Sequence, residues 1–280
     1  MTRLTARRAA ALGVAVLAAL AVRQRRRVER ERHRRVGELV ADTDPQTGVV
    51  TSEDLESVPP PIRRYFEHTI AVGQPTVRRV RFHQRGEFRL GDNWHPLTAT
   101  EWVTTRPAGL LWDATIDVAP FLPVRVVDRY QHGAGVLDAR IWSAVPVAKA
   151  GPTPEMNEAE LLRYLAEAVW YPTALLPSQG VEWEPIDETS ARATIKDGDV
   201  TASAVFHVGP DDTIARVTAE RYRQEDGQYA PWVGQFGNYE RREGMLVPTE
   251  GEVAWETPDG EAPYWRATID ELSYTMARVE

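Results

Sequence analysis

From Val77 onward, apolar and polar residues alternate with a period of two. Val80, Phe82, Phe88 and Leu90 lead a first strand that a GDN turn closes at 91–93, and Gly86 inside it predicts a bulge. Further strands are expected at 97–105, 110–118, 124–131 and 136–145, then at 180–186, 190–196, 200–208, 213–222, 229–240, 245–256 and 263–276. Turn chemistry separates them, including DGD at 197–199, GPDD at 209–212, DGQ at 226–228 and TPDG at 257–260. Short strands with almost no helix between them argue an antiparallel meander, and some twelve of them must curl, split or close.

One segment breaks the period. In PEMNEAELLRYLAEAVWYPTALLP, residues 154–177, the side chains of Leu161, Leu162, Leu165, Ala168 and Val169 fall on one helical stripe. A helix is expected over 157–171, with Asn157 as its cap, Glu160 completing a capping box, and Pro172 ending it. The predicted fold class is α+β, mainly β. It is a strongly curved antiparallel sheet, half-barrel or barrel-like, whose concave face this central helix covers. A small helical preface precedes it. Thr51 or Ser52 caps a turn through Glu56, and Pro59–Pro61 leads into a helix with Ile62, Tyr65, Phe66 and Ile70 on one face. Residues 42–48 read as a linker. The expected organisation is 1–36 as an N-terminal membrane segment with a basic stretch, 37–75 as linker and short helices, and 76–280 as the β domain.

Residues 9–22, AAALGVAVLAALAV, are uncharged and lie between Arg7–Arg8 and the arginines that begin at Arg23. Fourteen helical residues rise about 21 Å, short of a ~30 Å hydrocarbon core. The paired arginines, short apolar stretch and small-x-small site at Ala19–Ala21 suit a twin-arginine export signal. The arginines that follow at once suit instead an uncleaved anchor with a cytoplasmic body, by the positive-inside rule. The anchor is the adopted expectation and export the alternative. Residues 23–40 then continue as a polar helix along anionic head groups.

Charge sharpens this picture. Residues 1–36 hold eleven Arg against Glu29 and Glu31, a net of +9, so the chain total of −8 leaves −17 for residues 37–280. Such an acidic body is a poor surface for nucleic-acid phosphates, and no nucleic-acid partner is expected. The chain has no cysteine, which removes disulfides, thiolate metal sites and cysteine nucleophiles. His33, His68, His83, His95, His132 and His207 show no metal-ligand spacing, so no metal or cofactor is expected. The HGAG at 132–135 lies between two strands and reads as a glycine-rich turn, since no GxSxG elbow exists.

Two sets of residues carry the candidate chemistry. Arg163 and Glu167 stand four apart on the helix, either as a surface ion pair or, with Trp170 and Tyr171, facing a cavity. Asp113, Asp128 and Asp187 sit beside strand hydrophobics and suit turns or pairing with an Arg such as Arg221. Nine tryptophans are spread over the chain, several beside Tyr or Pro. Such residues pack in core edges or line apolar pockets. The candidate ligand-binding residues are Arg163, Glu167, Trp170, Tyr171, Trp232 and Tyr239.

The stretches WDA at 112–114, DRYQHGAG at 128–135, RYLAEAVWYPTALLP at 163–177, WEPID at 183–187, PWVGQFGNY at 231–239, GMLVPTEGEVAW at 244–255 and YWR at 264–266 resemble a family of uncharacterised microbial proteins, known as a domain of unknown function. The resemblance covers about residues 55–276, and the helix motif is its most specific part. It implies no catalytic residue. The expected architecture is also similar to lipoprotein-carrier half-barrels. The leading expectation is a membrane-tethered protein that binds an apolar or amphipathic ligand, such as a lipid, in a cavity under the central helix. The alternatives are a hydrolase or isomerase using Asp, Glu and Arg of the concave face, and an interaction module at the membrane. A dry cavity would favour binding, charged groups clustered inside it catalysis, and a filled barrel the third.

Overall fold

The computed structural model describes residues 2–41, 43 and 48–278, with the backbone alone for residues 2–18 and 20. Contacts divide the chain into two units, Met1–Glu38 and Leu39–Glu280. In the first, helix α1 (Thr2–Ala41, entering the second unit at its end) carries the apolar run and then the arginines. Apolar and charged residues thus separate along its length rather than around it. Arg35–Glu31 at 2.6 Å and Arg34–Glu38 at 2.7 Å pair one turn apart on its basic part. Among the described residues no helix is long and apolar enough to cross a membrane. The spanning anchor expected at Ala9–Val22 is therefore not supported, because fourteen uncharged residues rise only about 21 Å. The expected linker, residues 42–48, falls mostly on positions outside the described residues.

The second unit opens with α2 (Ser52–Glu56) and α3 (Pro60–Thr69). Thr51 caps α2 in a reciprocal box with Asp54, each side chain accepting from the other's backbone N–H at 3.1 and 3.0 Å. Ile62, Tyr65 and Phe66 of α3 are fully buried in the same core as the sheet. That sheet has thirteen antiparallel strands: β1 (Val77–Leu90), β2 (Asn93–Thr105), β3 (Ala108–Ala119), β4 (Leu122–Gln131), β5 (Ala134–Ile141), β6 (Val145–Ala150), β7 (Val181–Pro185), β8 (Ser190–Asp197), β9 (Val200–Val208), β10 (Ile214–Arg223), β11 (Gln228–Arg242), β12 (Met245–Thr257) and β13 (Gly260–Met276).

Strands β1–β6 form one meander and β7–β13 another, and β1 pairs with β13 to join them. The two outer edges are consequently β6 and β7, which are consecutive in sequence. The connection between them must cross the whole sheet, and it contains α4 (Pro154–Glu167). α4 packs on β3, β4 and β5 and also on β9 and β10, which lie near the opposite edge. Only a strongly curled sheet brings both sets to one helix. The half-barrel with a central covering helix is thus the observed fold.

Three local expectations are corrected. Gly86 is no bulge: it stays in register with both Leu97 and Ala267, and the shift lies at His83/Gln84. A Cβ there would stand 1.9 Å from the Arg266 carbonyl oxygen, so glycine permits a close backbone approach. The strand expected at 136–145 is two, because Trp142 and Ser143 adopt left-handed φ of 50° and 56° and reverse the chain between β5 and β6. The central helix starts at Pro154, not Asn157, with Thr153 Oγ1 accepting from the Met156 N–H at 3.3 Å. Asn157 lies inside α4 and accepts from the Gly135 N–H at 2.8 Å, and Glu160 is a buried ion-pair partner instead of a cap. After Glu167 the chain tightens into a 3₁₀ turn at Ala168–Trp170 and leaves the helix before Pro172.

Candidate ligand-binding cavity

Between one face of α4 and the sheet lies a cavity of about 620 Å³, within the range of small-molecule sites. α4 contributes Met156, Ala159, Glu160, Arg163, Ala166 and Glu167, and Trp170 follows from the 3₁₀ turn. The sheet supplies Trp112, Trp232, Trp255, Trp265, Phe88, Phe236 and Tyr264. Together they make a wall of aromatic faces. Trp255 stacks on Tyr264 with ring centroids 5.7 Å apart and planes at 20°, and Trp232 donates to the Tyr264 hydroxyl at 2.9 Å.

The polar floor of this cavity is built around Arg163. Its Nε donates to Glu167 Oε1 at 2.8 Å, its Nη1 to Asp128 Oδ2 at 2.9 Å, and its Nη2 lies 3.4 Å from Glu101 Oε2. The guanidinium carbon stands 4.9 Å over the Trp112 ring. Gln84 fixes this arrangement from β1, donating to Glu101 at 3.3 Å while accepting from Trp112 Nε1 at 2.7 Å. Beside it, Arg221 Nη2 lies 3.5 Å from Glu160 Oε1, its Nη1 donates to the Tyr264 hydroxyl at 3.2 Å, and its Nε donates to the Ala159 carbonyl at 3.4 Å.

Four carboxylates, Glu101, Asp128, Glu160 and Glu167, therefore share two guanidinium groups. The resulting excess of acid shows in their protonation. Burial, and then repulsion from Glu167, hold Glu101 well above the usual carboxylate range. Burial, and then the Asp128 charge, push Glu160 up to about 7. Burial raises Asp128 too, against the pull of Arg163 and Arg221. Glu101 and Glu167 lie against one another, so the Glu167 charge adds to burial in raising Glu101. Among the described residues no group of three or more His, Cys, Asp or Glu could hold a metal ion.

Four of the six sequence candidates, Arg163, Glu167, Trp170 and Trp232, line this cavity. The surface alternative for Arg163 and Glu167 is set aside, since both side chains are 15% exposed. Tyr171 and Tyr239 do not line it. Tyr171 is fully buried and donates to the Tyr164 carbonyl at 2.8 Å, because the turn after Trp170 directs it into the core. Tyr239 donates to the Ile214 carbonyl at 2.7 Å, tying β11 to β10. Of the three flagged aspartates, Asp128 joins the cluster, Asp113 is held by Arg125 at 2.7 and 3.0 Å, and Asp187 accepts from Thr189 in a turn. Sequence reasoning missed Glu101, Gln84 and Glu160 as partners.

A family model described as a family of unknown function, DUF6920, matches residues 56–274. The chain belongs to the DUF6920 family. The DUF6920 match spans α3 and nearly the whole sheet, so the cavity lies inside it. No curated protein matches. Among solved structures, the DUF6920 fold is similar to a DUF1329 family protein from Desulfovibrio piger, at 12% identity and a TM-score of 0.42, covering 71% of this chain and 86% of that one. It is also similar to a putative outer membrane lipoprotein-sorting protein domain from Vibrio parahaemolyticus, at 10% identity and a TM-score of 0.37, covering 72% and 88%. A LolA superfamily protein from Nitrosomonas europaea shares 11% identity at a TM-score of 0.36, covering 83% of this chain and 96% of that one.

Proposed function

We propose that the cavity under α4 binds an apolar or amphipathic ligand, with lipids the leading class. The observation that carries this reading is the 620 Å³ volume walled by aromatic faces between α4 and the sheet. A core of this size would close if packing were its only purpose, because unfilled apolar volume costs stability. The full chain is expected to enhance the fluorescence of N-phenylnaphthylamine, a neutral apolar probe. Trp255→Ala, which removes a half-buried wall residue, is expected to weaken that uptake severalfold. Absence of any enhancement by the folded protein would reject the reading.

The charged cluster favours a second reading, a hydrolase or isomerase, since Glu160 lines the cavity with a proton affinity near neutrality. The same experiment separates the two when followed by native mass spectrometry with lipids supplied. Recovery of the lipid at unchanged mass supports binding, and conversion to products supports catalysis.

For the N-terminal helix we propose attachment to a membrane surface rather than passage through it. The support is its eleven arginines, which suit anionic head groups at about 1 kcal/mol each near the surface. The full chain is expected to sediment with vesicles containing phosphatidylserine at low salt. It should sediment much less at 1 M salt, where the screening length falls to about 3 Å. Equal sedimentation with purely zwitterionic vesicles would remove the electrostatic basis of this proposal.

A further inference from the structure

The polar floor of the cavity is short of hydrogen-bond donors. Each nitrogen of Arg163 faces a carboxylate, and each nitrogen of Arg221 faces Glu160, Tyr264 or the Ala159 carbonyl. At the mouth, Arg223 is held by Asp226, and Arg89 Nε donates to the Gly91 carbonyl at 3.2 Å. Acceptors, in contrast, are left over beside the two guanidinium groups, and the one unpaired buried donor of the lining, Trp170 Nε1, belongs to the aromatic wall. Asp128 Oδ1 and Glu160 Oε2 are buried and receive no hydrogen bond, although both residues line the cavity and are only 8% and 3% exposed. The remaining oxygens of Glu101 and Glu167 lie instead against one another.

A buried acceptor without a donor costs free energy until something supplies one. A ligand with an anionic head would do the opposite, adding negative charge to a floor where four carboxylates already share two guanidinium groups. The floor therefore selects the sign of its guest. We infer that the cavity takes an amphipathic cation, a molecule with an apolar chain against the tryptophan wall and an amine head between Asp128 and Glu160. This rests on the ligand-binding reading above and narrows it. An ammonium group brings three donors and one positive charge, which matches the two unpaired oxygens and balances the charge Glu160 gains on ionising. When it enters, it takes the place of the proton that Glu160 holds near neutral pH, so binding releases that proton to solvent.

The test uses the full chain and three probes that share one chain and differ only in the head: octylamine, octanol and octanoate. Calorimetric titration at pH 7 is expected to give octylamine about tenfold or more tighter binding than octanol, the scale of one charge-assisted hydrogen bond, with octanoate weakest. Repeating the octylamine titration in buffers of different ionisation enthalpy should show proton release, whereas octanol should show none. Glu160→Gln, which preserves shape, should remove most of the preference for the amine over octanol. Equal binding of amine and alcohol, or a preference for octanoate, would overturn the cationic assignment while leaving the apolar site standing. If none of the three binds, the ligand-binding reading itself fails.

Discussion

Replacing Arg163 by Met is expected to destabilise the unit Leu39–Glu280 by about 3–5 kcal/mol at pH 8, the cost of breaking a buried ion pair from one side. Methionine keeps most of the stem that lies over Trp112, so the loss reports on charge more than on packing. Without the guanidinium, Glu101, Asp128 and Glu167 lose their shared cation in a largely buried site. They must either stay ionised at high cost or take up protons from a solution that holds few. At pH 5 protonation is nearly free, and the penalty should shrink. The wild type already leans the same way. Folded Glu160 titrates at about 7 against 4.5 for an ordinary glutamate, so between those values the folded state holds a proton that the unfolded chain has released. Its contribution to stability is therefore present below pH 4.5 and is lost as pH rises through 7, by about 3 kcal/mol in all, with Glu101 acting in the same direction. Urea midpoints at pH 5 and pH 8 check both statements. An Arg163→Met loss of equal size at the two pH values would show that the residue acts through packing on Trp112.

This cluster was half legible in the sequence. In β2 the inward-facing positions are Leu97, Ala99, Glu101 and Val103, and a carboxylate on that parity marks a buried charge in want of a partner. Gln84 repeats the signal in β1, following Val80 and Phe82 on the buried face. Neither residue names its partner, because Arg163 is 62 positions from Glu101 and meets it only once α4 has crossed the sheet. The strand period and the helical stripe are properties of neighbours in the chain, which is why the curved sheet and its covering helix could be read directly. The pairing of β1 with β13 joins residues nearly 200 positions apart, and no local pattern encodes it. The start of α4 was legible but mistaken. Thr153 followed by Pro154 is a stronger helix beginning than Asn157, since Pro fits the first turn and Thr can accept from Met156. The turn that splits the expected strand at 136–145 left no such trace, for Trp142 and Ser143 are poor markers of a left-handed backbone.

Trp170 is where the structure most changes what an experiment should show. As a residue at the mouth of a cavity, its truncation would weaken ligand uptake and leave the melting temperature almost unchanged. The structure gives it a second, heavier duty. It is only 1% exposed, with Phe82, Phe236 and Trp265 around its ring at centroid distances of 5.4, 5.5 and 6.5 Å. Opposite it stands Gly251, where even a Cβ would come within 3.1 Å of the indole. β12 thus leaves room for this ring and for nothing more. The backbone carbonyl of Trp170 accepts from the Tyr274 hydroxyl at 2.6 Å, so β13 also fastens the turn that presents it. Trp170→Ala is accordingly expected to cost about 3–5 kcal/mol, the range for deleting a large buried aromatic side chain, and to lower the urea midpoint with it. The indole Nε1 has no acceptor, so no hydrogen bond is lost and the cost is one of volume. Trp170→Phe, which keeps a ring in the slot, should recover a large part of the stability. If Trp170→Ala melts with the wild type, the four-ring cluster does not hold the covering helix. Trp170 would then be free to serve the cavity alone.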